Sequence, residues 1–147
     1  MSMTIRNKHA QGDYAIGDTF EAGISLTGAE VKAIRTGHAD ITGSFVRILG
    51  GEAYLVGSKV YPYKYARPEM FQEARSRKLL LHKAELISLK SKMEGQHLTL
   101  VPLSLYTKGR IIKLSVGLGK GKKQFDKRKE LRQKSINRDI ERALTGK

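Results

Sequence analysis

Apolar residues recur at even steps along most of this chain, which is the period of strands. From Asp13 to about Ser25, Tyr14, Ile16, Phe20 and Ile24 share one side of an extended segment. Thr27-Gly28-Ala29-Glu30 then reads as a capping box, a Thr hydroxyl for the orphan N–H groups and a Glu three residues later that reaches back. The pattern predicts a short helix over Gly28–Thr36, stopped by Gly37, with Val31 and Ile34 on one face. Two strands, Ser44–Leu49 and Glu52–Gly57, follow around Gly50-Gly51, which supplies the positive φ of a tight hairpin. Val60–Tyr65 is aromatic, basic and broken by proline, hence an edge strand or loop. Residues 67–78 read as irregular to weakly helical.

Leu86, Leu89 and Met93 stripe a helix over Leu81–Glu94, closed by Gly95. Beyond it, Gln96–Tyr106 and Arg110–Leu118 form a hairpin around Lys108-Gly109. Ile112, Leu114, Val116 and Leu118 point one way in the second strand, and Arg110, Lys113 and Ser115 the other. Many strands with inserted helices and no β-α-β alternation argue against a parallel sheet. The expected fold is mainly β: a small antiparallel barrel like the OB-fold, with two or three short helices. Residues 1–12 read as a flexible lead-in, 13–119 as the barrel and 120–147 as a basic tail, released by glycines at 117–121.

Charge is divided unevenly between these parts. The whole chain of 147 residues has a net charge of +14. Its last 28 residues hold eleven Lys/Arg against four Asp/Glu, so +7 sits in the tail and +7 in the other 119 residues. Crowded like charges are best left in water, so folding alone does not explain the tail, and a polyanion does. Phe125 stands within its densest run, where a ring can stack on a base while cations hold phosphates. The tail also has helical capacity. Asp126 can cap it and Lys134, Arg138 and Arg142 recur every four residues, while Leu131, Ile136, Ile140 and Leu144 are too few to dock it firmly. Disorder when free and helix when bound is the expectation.

Other chemistries find little support. The chain has no cysteine, so there is no disulfide framework, thiolate metal site or thiol nucleophile. His9, His38, His82 and His97 are scattered without a zinc-helix spacing, and no acidic cluster suits a metal-dependent nuclease. Gly117–Lys123 is glycine-rich but lacks the phosphate-loop spacing. No cofactor is implied, and the sequence points away from an enzyme. No stretch approaches the roughly 20 apolar residues that span a bilayer, and the opening residues lack the core of a signal peptide. A cytoplasmic protein without membrane attachment is expected.

Outside the tail, Arg75, Arg77 and Lys78 precede Leu79-Leu80-Leu81 as a second basic patch, either a solvated turn capped by a core strand or an RNA contact. Lys113, alone on the polar face of its strand, would be a phosphate contact on an RNA-binding barrel. Glu21 reads either as half of a surface ion pair or as a functional group, accepting hydrogen bonds from base amino groups or orienting a neighbouring arginine.

Four strings in order, Phe20–Ile24, Gly28–Arg35, Arg75–Lys83 and Gly121–Arg128, closely resemble those of the SmpB family, the SsrA-binding proteins of bacterial trans-translation. The resemblance runs from about Asn7 into the tail. It implies an OB-like barrel gripping the tRNA-like part of transfer-messenger RNA, which is charged with alanine by alanyl-tRNA synthetase and carried by elongation factor Tu to stalled ribosomes. It implies RNA contacts by Glu21, Leu80 and Lys113, supported by Asn7, Lys8, Arg35 and Lys78. Leu80 reads as core from its pattern alone. In the tail, Phe125, Asp126, Lys127 and Arg128 match the segment at the ribosomal decoding centre. Lys120, Lys122, Lys123, Arg132, Lys134 and Arg138 would line the same path in the vacant messenger channel.

Two departures stand out. Phe125 occupies a position that is Tyr or His in the family, which keeps stacking and loses hydrogen bonding, and Gln11-Gly12 lack the basic residues often found there. The other readings are a structural ribosomal protein, equally basic and tailed, and an RNA nuclease, for which the catalytic constellation is missing.

Overall fold

The strand period of the sequence becomes nine strands and three helices among the described residues, which in this computed structural model are 3–62 and 72–121. In chain order they are β1 (Thr4–Arg6), α1 (Ala10–Asp13), β2 (Tyr14–Ile24), α2 (Gly28–Arg35), β3 (Ala39–Asp40), β4 (Phe45–Leu49), β5 (Glu52–Val56), β6 (Lys59–Val60), β7 (Arg77–Leu80), α3 (Lys83–Gln96), β8 (Thr99–Lys108) and β9 (Ile111–Gly121). Seven strands form one sheet in the order β1-β8-β9-β2-β7-β5-β4, every neighbour antiparallel. The sheet curls until β4, at one edge, lies alongside β8 near the other. This is the mainly β, OB-like antiparallel barrel expected, with β3 and β6 as a separate two-stranded ribbon.

The inward faces follow the sequence pattern. Ile112, Leu114, Val116 and Leu118 are all buried, as are Ile34 of α2 and Leu86 and Leu89 of α3. They join Leu55, Leu79, Leu100 and Leu105 in one core, with Val31 and Met93 packed at its edge. The capping box is formed: the Thr27 N–H donates to Glu30 Oε1 at 2.9 Å and the Glu30 N–H to Thr27 Oγ1 at 3.2 Å. Gly50 and Gly51 turn the β4–β5 hairpin with φ of 57° and 77°, a conformation that costs glycine least.

Four expectations need correction. The lead-in contains β1, which pairs with β8 and sends Ile5 against the core; a strand of three residues with one apolar position carries no readable alternation. The glycines at 117–121 do not release the chain, because β9 continues through them to Gly121. They make room instead: a Cβ at Gly117 would lie 2.7 Å from Ile16 Cγ2. The segment read as irregular over 67–78 is so at 72–76 but gives way at Arg77 to β7 (Arg77–Leu80), paired with β2 and β5, while 67–71 lie outside the described residues. Helix α3 begins at Lys83 and passes through Gly95 to Gln96, where His97 closes it in the left-handed conformation with φ 53°.

Candidate nucleic-acid interface

Antiparallel register brings distant parts of the sequence onto one outward row. Gly23 of β2 is paired with Leu80 of β7 on one side and with Lys113 of β9 on the other. Lys113 is in turn opposite Tyr106 of β8, and Tyr106 opposite Thr4 of β1. Glu21, two residues before Gly23, shares its face of β2 and stands opposite Ser115. Thus Glu21, Leu80 and Lys113 come together on the outside of the barrel. Leu80 is 55% exposed, which corrects its reading as core. Its neighbours Leu79 and Leu81 turn inward, Leu79 fully buried and Leu81 packed at the edge of the core.

Glu21 is held by two donors that the sequence reading did not single out. The Tyr106 hydroxyl donates to Glu21 Oε2, and Lys108 Nζ donates to Oε1 at 3.2 Å. These bonds, Tyr106 first, hold the Glu21 carboxyl below its ordinary range, and the charge of Lys113 adds to them. Burial, with the bond to Glu21 behind it, pushes the Tyr106 hydroxyl up to about 12. At neutral pH the face therefore presents a fixed carboxylate with lone pairs to spare, a lysine with no ion pair within 4.0 Å among the described residues, and a solvent-facing leucine. The turn expected around Lys108-Gly109 lies one residue on, at Gly109-Arg110, which takes Arg110 out of the strand, sets Lys108 against Ile111 and hence Tyr106 against Lys113.

The Arg75–Lys78 patch divides. Arg77 is 1% exposed, and its guanidinium is saturated: Nε donates to Glu30 Oε2 at 2.7 Å and Nη1 to Ser58 Oγ at 3.1 Å, while Nη2 reaches the Gln72 and Glu73 carbonyls. Arg75 also grips Glu30, through both Nε and Nη2, and donates to the Ser25 carbonyl. Burial alone would raise the Glu30 carboxyl, but Arg75, the Thr27 N–H and Arg77 outweigh it and hold it low. Arg77 is therefore withdrawn from any RNA contact, because it points inward on β7, and Arg75 is committed to the same carboxylate. Lys78 faces outward and meets Glu52 at 3.5 Å, both about half exposed.

Asn7 and Lys8 lie just beyond β1. Asn7 donates through Nδ2 to the Pro102 carbonyl at 2.9 Å, and its buried Oδ1 has no partner among the described residues. Lys8 is exposed and lends its charge to Asp40. Arg35 is exposed at the end of α2. Lys120 is exposed on β9, opposite Ala15. Lys122, Lys123, Phe125, Asp126, Lys127, Arg128, Arg132, Lys134 and Arg138 lie outside the described residues. Among the described residues no group of three His, Cys, Asp or Glu side chains could hold a metal ion. A cleft of about 370 Å³ between β2 and α3, lined in part by Asp18, Phe20, Glu85 and Leu89, shares none of the residues of the outward row.

A model of the family described as SmpB protein matches residues 4–146. The chain belongs to the SmpB family. The SsrA-binding protein of Rubrobacter xylanophilus is 44% identical over 144 residues, 98% of this chain and 96% of that protein. The one from Aquifex aeolicus is 45% identical over 142 residues, 96% of this chain and 90% of its own length. Among solved structures, a chain from "tmRNA-SmpB: a journey to the center of the bacterial ribosome" superposes with a TM-score of 0.69 at 43% identity, covering 88% of this chain and 94% of that one. The SmpB match continues through the basic tail, and the ribosomal-protein alternative draws no support from any of these similarities.

Proposed function

We propose that this chain binds the tRNA-like part of transfer-messenger RNA and delivers it to stalled ribosomes, as a binding factor and not a catalyst. The observation that carries the reading is the row centred on Gly23, which gathers Glu21, Leu80 and Lys113 on one outward face. Lys113 supplies a phosphate contact, Leu80 an apolar surface for a ribose or base, and Glu21 a carboxylate acceptor for base amino groups. Asn7, Lys8, Arg35 and Lys78 flank that grip, and the basic tail enters the vacant messenger channel with Phe125 to Arg128 at the decoding centre. The relatives are named SsrA-binding proteins, and the structural neighbour is SmpB with transfer-messenger RNA in the ribosome. Among the described residues no helix is long and apolar enough to cross a membrane, and the proposed place of action is the cytoplasm, with the ribosome.

The test is a titration of the full chain at fixed, near-physiological salt against the tRNA-like domain, an ordinary tRNA and an unrelated hairpin. A chain this basic binds any RNA when salt is low, so only the comparison is informative. Marked preference for the tRNA-like domain is expected; equal binding to all three would reduce the chain to a general polycation.

A further inference from the structure

We propose that the outer face of β4, β5 and β7 is a further RNA-contact surface, on which Tyr54 stacks against an unpaired base while Arg47 and Lys78 hold the flanking phosphates. The inference rests on the RNA-binding reading above and extends it two strands past Leu80.

Register builds this surface. Tyr54 of β5 is paired with Arg47 of β4 on one side and Lys78 of β7 on the other. Alternation settles which side faces out: Val46, Ala53, Leu55, Arg77 and Leu79 are buried, so their neighbours Phe45, Arg47, Tyr54, Lys78 and Leu80 point away from the core. Phe45 is 45% exposed, Leu49 52% and Leu80 55%, half of the six exposed large hydrophobics among the described residues, and all on this one face. Arg47 is exposed, with no salt bridge or side-chain hydrogen bond among the described residues. Lys78 has only its long contact with Glu52, an exposed pair of little strength.

An aromatic ring between two cations fits a nucleotide better than a protein surface. The ring offers a stacking platform that any base can use, and the cations straddle it about two strand spacings apart, roughly 10 Å, within reach of phosphates on either side of one nucleotide. The surface is also continuous with the Gly23 row, because Lys78 and Leu80 are successive outward residues of the same strand. One RNA strand can follow both.

The chain contains no tryptophan, so Tyr54→Trp introduces a single indole at the proposed stacking position. In a titration of the full-length variant with the tRNA-like domain, its emission is expected to be quenched saturably, with the midpoint of binding. Tyr54→Leu is expected to weaken binding roughly tenfold without changing the salt dependence. Arg47→Ala, at an exposed position that folding tolerates, should lower the slope of log K against log salt by about 1. Indole emission that stays constant through complete binding overturns the proposal, as does an Arg47→Ala chain with wild-type affinity and slope. Lys113→Ala separates the two readings. If it loses affinity while the Arg47 and Tyr54 variants do not, this surface alone is wrong. If the wild type shows no preference for the tRNA-like domain, the RNA reading itself fails.

Discussion

Leu80 lies across the bare α-carbon of Gly23: a Cβ built there would stand 3.0 Å from Leu80 Cβ and 3.4 Å from its Cδ1. Alternation along β7 turns the leucine outward, where it rests on this glycine, and the same glycine is paired on its other side with Lys113. Gly23→Ala is therefore expected to displace Leu80 or to part β2 from β7, since the opposing atom sits next to the backbone. The cost to stability should be about 1 kcal/mol, the low end for overpacking, because the site opens to solvent. RNA affinity should fall as far as it does for Leu80→Ala. Wild-type affinity in the Gly23→Ala chain, with Leu80→Ala impaired, would show that the position of Leu80 on this row does not matter.

Glu30 is the hinge of the interior charge. It is 3% exposed and joins two guanidiniums, Arg77 at 2.6 Å and Arg75, so removing its charge leaves a buried cation unanswered. Glu30→Gln should destabilise the fold by roughly 3 kcal/mol in urea unfolding at pH 7. Its folded-state pKa is lowered, so its contribution is fully present above the ordinary carboxylate value of 4.5 and is lost as pH falls through the folded value. The gap between wild type and variant should hence be constant above that pH and narrow below it. A gap independent of pH down to strong acid would assign the loss to packing.

This cluster also marks where sequence reading reaches its limit. In Arg75-Ser76-Arg77-Lys78 the cations are plain, but the carboxylate that claims two of them is 45 and 47 residues away. Without the bonds that Glu30 makes to Arg75 and Arg77, three basic residues look alike. Alternation was legible where strands are long and one-sided, as in β9, where Ile112, Leu114, Val116 and Leu118 are buried as expected. It was not legible in β1, with three residues, or in β7, with four, where Leu79-Leu80-Leu81 hides the period behind three identical side chains. Glu21 and Lys113 could be picked as polar residues on strands; that they share a face with Leu80 depends on register, which a single chain shows only at hairpins.

Tyr106 acts through Glu21. Tyr106→Phe removes the donor that contributes most to lowering the Glu21 carboxyl. RNA binding at pH 7 should weaken, because the carboxylate loses one of the two donors that fix its position. The carboxyl should then titrate closer to 4.5, so lowering pH toward that value should cost the variant more affinity than the wild type. NMR titration of the Glu21 side chain reads the shift directly; an unmoved carboxyl would remove Tyr106 from this role.

Lys113→Ala is expected to weaken binding of the tRNA-like domain by roughly 1–3 kcal/mol, the range of charge-assisted hydrogen bonds. The loss should shrink as salt rises, because a phosphate contact is screened. The Lys113 side chain makes no ion pair within 4.0 Å among the described residues, so the fold should be little affected. An unchanged dissociation constant at low salt would take Lys113 out of the interface.

The last expectation follows from the division of charge. Half of the excess, +7 of +14, lies in residues 120–147, whereas the Gly23 row is complete within residues 4–113. A chain ended after Leu131 keeps the barrel and every residue of that row. It should bind the tRNA-like domain at near-physiological salt almost as the full chain does, with a shallower salt dependence because fewer cations remain. Its ability to restart translation on ribosomes stalled without a stop codon should be abolished, since the segment proposed for the messenger channel is cut. Measuring both on the same preparation separates the two halves of the function. A truncated chain that loses most of its RNA affinity would place the grip on the RNA in the tail, and one that still rescues ribosomes would leave residues beyond Leu131 without the role proposed for them.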